Sequence, residues 1–173
     1  CCFETAHELF LDPLELQDIR WEGMGDSASK LTLSFRVLPG ASGRFNPDAL
    51  RLHCTGEIGP ATGLYALLTT KLRSVSLIDA SGDLRRLPKE NVFPAAFAEN
   101  SPLLPYPAHI FPGYSILMDY FILPEKFLSV GVKGLAERLD VTSAKNFPLI
   151  FELEAPEAPS KPNRASLVPH VVP

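Results

Sequence analysis

The chain has 173 residues, enough for one hydrophobic core, and dividing it into two equal domains would leave each half thin. Hydrophobic residues make up 46% and charged residues 21%, close to globular averages, so composition indicates neither disorder nor a membrane protein. The net charge of −4 provides no basic field to neutralise phosphates, which argues against nucleic acid as a partner.

The first 27 residues read as a lead-in. They lack an initiator Met and a signal-type leader, so the chain reads as an excised fragment. Within them, Asp12, Glu15 and Asp18 fall at helical spacing ahead of Trp21. A solvated acidic face explains these carboxylates better than acid–base catalysis does. Gly23 and Gly25 follow no strand-to-helix transition of the kind that cradles a phosphate.

Residues 30–38 alternate, with Leu31, Leu33, Phe35 and Val37 on one face and Thr32, Ser34 and Arg36 on the other, which predicts a half-buried strand. After a turn-forming stretch, residues 50–54 repeat the pattern, with Leu50, Leu52 and Cys54 inward and Arg51 and His53 outward. From Pro60 the spacing becomes helical, placing Ala61, Leu64, Tyr65 and Leu68 on one stripe. Residues 73–79 and 84–87 flank Ala80-Ser81-Gly82-Asp83 and predict a hairpin.

Prolines 94, 102, 105, 107, 112 and 124 thread between aromatics and leucines, as in a packed extended segment. Residues 114–122 are apolar except for Ser115 and Asp119, four apart on one face, and this pattern predicts a buried helix. Pro124 ends it, and 127–133 and 148–155 read as two further strands. The resulting fold class is α+β, an antiparallel or mixed β-sheet with two helices packed on it, spanning 28–156. Residues 157–173 read as a linker and the start of a following segment, 157–165 being an exposed connector.

Chemical motifs are sparse. Cys1, Cys2 and Cys54 form no paired framework, which favours a reducing compartment, and Cys54 fits an inert core thiol. His7, His53, His109 and His170 lack metal-ligand spacing, and His53 and Cys54 would point to opposite faces of a strand. No G-x-S-x-G elbow or comparable nucleophile signature occurs. These observations argue against an enzyme and against any cofactor.

The run 103–127, LLPYPAHIFPGYSILMDYFILPEKF, is similar to the signature of the TssF family (also ImpG or VasA) of the bacterial type VI secretion system. In that family a leucine-rich LLPYP leads through F-x-GY to EYF-x-x-PEKF. Leu50-Arg51-Leu52-His53 followed by Leu64-Tyr65-Ala66-Leu67-Leu68 also resembles the family, and the likeness covers roughly 28–155. Asp119 stands where the family usually has Glu, and the stretch after Phe127 is less aromatic than usual.

The resemblance implies a cytoplasmic structural protein of a contractile tail-like baseplate wedge, at the inner face of the cell envelope and without membrane insertion. It would work with TssG, other TssF copies and TssK, with the sheath and spike hub nearby. The signature or interface residues it implies are Leu104, Pro105, Tyr106, Pro107, Gly113, Tyr114, Asp119, Tyr120, Phe121, Pro124, Glu125, Lys126 and Phe127. A competing reading is a carbohydrate- or peptide-binding module built on the aromatic and proline-rich run. Exposure should discriminate the two. A platform keeps Tyr106, Phe111 and Tyr114 wet, whereas a scaffold core buries most of Tyr114, Tyr120, Phe121 and Phe127.

Overall fold

The computed structural model describes residues 12–38, 49–98, 102–104, 107, 111–139, 145–158, 160–169 and 171. The strands are β1 (Leu14–Gly23), β2 (Ser29–Val37), β3 (Ala49–Cys54), β4 (Leu72–Ile78), β5 (Leu84–Leu87), β6 (Val92–Pro94), β7 (Ser129–Lys133), β8 (Asn146–Leu153) and β9 (Leu167–Pro169). The helices are α1 (Ile58–Thr70), α2 (Ala95–Ala98) and α3 (Pro112–Ile122). The α+β class expected from the sequence holds, with two sheets in place of one. A five-stranded sheet runs β1-β2-β8-β4-β5 and a four-stranded sheet runs β6-β7-β3-β9, every pairing antiparallel. The alternating segments β2 and β3 lie in different sheets.

Alternation dictates the core. Leu31, Leu33 and Phe35 of β2, Phe147, Leu149, Phe151 and Leu153 of β8, and Val75 and Leu77 of β4 line the inner face of the larger sheet. Leu50, Leu52 and Cys54 of β3 with Val130 and Val132 of β7 come from the smaller one, and all belong to one continuous cluster. The predicted stripe on α1 buries Ala61, Leu64 and Leu68, and α1 touches strands of both sheets. The expected hairpin forms between β4 and β5. Its turn is held by the Asp79 carboxylate, which accepts N–H bonds from Ser81 and Asp83, and Gly82 supplies the positive φ of 87° that the bend requires.

The sheets extend beyond 28–156 in both directions. The stretch carrying Glu15 and Asp18 forms edge strand β1 and not a helix, and Glu15 pairs across the sheet with Arg36 at 2.6 Å. A bulge between Leu16 and Asp18 lengthens the step between the buried residues Leu16 and Ile19 to three, which mimics helical spacing. At the other end, β9 pairs with β3. The preceding turn is tied by Asn163 and Ser166 and by an ion pair from Arg164 to Glu15 at 3.1 Å.

Candidate partner-binding surface

Helix α3 begins at Pro112, whose missing N–H costs nothing in a first turn. Its exposure contradicts the buried helix expected from composition. Phe121 is 73% exposed and Tyr114 62%, and Ile116, Leu117, Met118, Tyr120 and Ile122 are all exposed. The reversal has a physical cause in the polar stripe, which turns inward. Asp119 is only 2% exposed, with an oxygen 2.7 Å from the ammonium of buried Lys126, and both carboxylate oxygens lie 3.2 Å from the backbone N–H of Leu103. At 100° per residue, Leu117 and Phe121 lie nearly opposite Asp119, so seating the carboxylate inside turns those side chains outward.

Leu123 ends the helix by donating its N–H to the Asp119 carbonyl, and Pro124 opens a 3-10 turn, Pro124–Phe127, that delivers Lys126 to the carboxylate. The rings form a loose chain. Tyr120 lies 6.1 Å from Phe127, which lies 5.2 Å from Phe97 of α2, and Tyr120 and Phe121 meet edge to face. Between α3 and α1 runs a groove of about 600 Å³ lined by Ile58, Thr62, Tyr65, Phe97, Ile116, Leu117, Tyr120 and Phe127, with no charged side chain in its walls.

The structure thus brings Gly113, Tyr114, Asp119, Tyr120, Phe121, Pro124, Glu125, Lys126 and Phe127 into one unit. Two of them are buried polar anchors (Asp119 and Lys126) and three are exposed aromatics (Tyr114, Tyr120 and Phe121), while Phe127 is half-buried. Leu104 and Pro107 are exposed on the approach to the helix, and Pro105 and Tyr106 lie outside the described residues. Sequence reasoning missed Ile58 and Thr62 of α1 and Phe97 of α2 as walls of the groove. Their separation from the signature run left no local signal.

One pair resembles hydrolytic machinery. His53 Nδ1 is 2.9 Å from Ser129 Oγ, and Glu125 acts electrostatically on the imidazole. His53 and Ser129 are direct cross-strand partners in β3 and β7, which accounts for the contact, and Ser129 is only 7% exposed. Burial holds the His53 pKa below its ordinary value against the opposing pull of Glu125. Next to it, burial pushes the Cys54 thiol up to about 12, consistent with an inert core sulfur. Among the described residues, no group of three His, Cys, Asp or Glu could hold a metal ion, and no helix is long and apolar enough to cross a membrane.

The family model for the type VI secretion system protein TssF matches residues 1–173. The chain belongs to the TssF family. It is similar to the type VI secretion system component TssF1 of Pseudomonas aeruginosa, with 29% identity over 153 residues, covering 80% of this chain and 25% of that protein. In solved structures it is similar to a chain of the TssK-TssF-TssG baseplate subcomplex, with TM-score 0.83 and 26% identity, covering 97% of this chain and 32% of that one. The chain therefore spans between a quarter and a third of the length of these relatives. Within the signature run that carries the family resemblance, residues 112–127 form the exposed helix, its buried ion pair and the turn that follows.

Proposed function

We propose that this TssF-family chain is a structural part of a type VI secretion baseplate wedge, acting through protein–protein assembly and not through turnover. The apolar face of α3 is its contact surface for TssG. Other TssF copies and TssK assemble in the same wedge, on the cytoplasmic side of the envelope, with the sheath and spike hub adjacent. The observation that carries this reading is the outward face of α3, where Tyr114, Leu117, Met118, Tyr120 and Phe121 are exposed together and no formal charge interrupts them. A contiguous apolar face of this kind marks an interaction site, and permanent interfaces are the more hydrophobic ones.

Exposure of Phe111, Tyr114, Tyr120 and Phe121 is the outcome expected of a carbohydrate or peptide platform and not of a scaffold core. Aliphatic Ile116, Leu117, Met118 and Ile122 surround the rings, however, and a sugar site needs convergent polar groups to orient its hydroxyls. Family membership and the all-apolar face favour a protein partner. The test is co-expression with TssG, comparing the native sequence with Leu117→Glu/Phe121→Glu. Two charges placed on the face should leave folding intact and abolish co-purification. If TssG is retained at native level by the doubly charged variant, α3 is not its contact.

A further inference from the structure

Hydropathy favours rolling α3 so that Tyr114, Leu117 and Phe121, an i, i+3, i+7 stripe, turn inward and Asp119 reaches water. The helix has the opposite setting. The only formal charge in Pro112–Ile122 is the buried one, held by Lys126 from the following turn and by the Leu103 N–H from the segment before the helix. The side chains of Asp119 and Lys126 are 3% and 5% exposed, so any roll of α3 would separate a charge pair out of contact with solvent. Ser115, one turn before Asp119 on the same face, is half-buried with it.

We infer that Asp119 and Lys126 are positioning residues that fix the rotational setting of α3 and so present its apolar face to a partner. This rests on the reading of that face as an interface. A buried ion pair is a poor stabiliser, because desolvation offsets most of its attraction, and well-packed apolar replacements are often as stable or more so. What an apolar pair cannot supply is a penalty for turning the wrong face inward. The pair therefore contributes orientation, and it spans two elements because a bond within α3 alone would roll with the helix.

The test compares the native chain with Asp119→Leu/Lys126→Met and with the exchanged pair Asp119→Lys/Lys126→Asp. Hydroxyl-radical footprinting reads the facing through Tyr114, Met118 and Phe121, and thermal melting reads stability. The apolar pair should melt within about 5 °C of the native chain while labelling of Tyr114 and Phe121 falls several-fold, and the exchanged pair should restore labelling. Native-level labelling in the apolar pair would overturn the inference. Should the apolar pair fail to fold, Asp119→Glu and Asp119→Asn decide. The acid should keep the facing and the uncharged isostere should lose it, and equal labelling in both would overturn the positioning role. TssG capture is scored separately. Capture that persists after labelling falls would remove the docking reading and leave the positioning role standing, whereas native labelling with capture lost in Leu117→Glu/Phe121→Glu would do the reverse.

Discussion

Phe121→Ala separates a core ring from a presented one. An aromatic side chain offers about 150–250 Å² for burial. With Phe121 73% exposed, only about a quarter of that is covered, on the order of 50 Å². At about 25 cal/mol per Å² this is worth roughly 1.3 kcal/mol, an upper estimate because the unfolded chain also shields some surface. Phe151 of β8 is fully buried, and its truncation should cost about 3–5 kcal/mol through lost burial and the cavity left behind. For a chain of this size each kcal/mol shifts melting by about 2–4 °C, so Phe121→Ala should lower it by a few degrees and Phe151→Ala by about 6–20 °C. Urea titration with both variants gives the comparison directly. Assembly should show the opposite order. An anchoring ring contributes about 2 kcal/mol or more, roughly 30-fold in affinity, so Phe121→Ala should lose TssG while remaining folded. Equal destabilisation by the two truncations would refute the outward setting of α3.

Gly131 of β7 faces Phe93 across the sheet, and a methyl group added there would overlap the ring, over which the Lys133 ammonium lies at 4.4 Å. Gly131→Ala should cost about 1–3 kcal/mol in urea titration, and pairing it with Phe93→Ala should recover part of the loss, giving a non-additive double-mutant cycle. Stability should fall with acid in two stages. Burial depresses the His53 pKa, so its contribution is present above the ordinary value of 6.5 and declines as pH falls below it, where the unfolded chain takes up the proton first. The carboxyls of Glu15, Glu22 and Asp79 are lowered chiefly by hydrogen bonds from Arg36, Lys30 and Arg85, so their contributions are present above 4.5, 4.5 and 3.8 and are lost at lower pH. A melting temperature that rises between pH 7 and pH 5 would contradict the His53 assignment, and His53→Gln should flatten that limb. Limited proteolysis should nick 157–162 before 163–166, whose backbone is tied by the Asn163 and Ser166 bonds, and mass spectrometry of the first fragments checks the order.

Segments whose periodicity comes from facing one core are legible in the sequence. Strands β2, β3 and β8 bury alternate residues and α1 buries Ala61, Leu64 and Leu68 of its predicted stripe, because local pattern and tertiary environment agree there, while β7 and the β4–β5 hairpin form where their β-rich stretches and turn signal place them. Strand β1 was hidden by its bulge, which gives a strand the three-residue step of a helix. Strands β6 and β9 span three residues each, too short for periodicity, and they form because β7 and β3 offer them a paired edge. At the candidate surface, the existence of α3 and its stop at Pro124 were legible. Its facing was not, since an apolar helix bears the same pattern whether its neighbours are in the same chain or in another.

The decisive partner of Asp119 is Lys126, which lies beyond the helix, past a proline, and is carried inward by the 3-10 turn. Hydropathy assigns both residues to solvent and the intervening rings to the core, and each assignment fails because the two charges satisfy one another. None of the described side chains of α3 belongs to the continuous core that joins the two sheets and α1. Folding of the sheets therefore places no demand on α3 to be apolar, and a solvent-facing helix free of other duties would carry charge on its outer face. Its rings and aliphatics need a cause outside this core, and a partner that covers them supplies one.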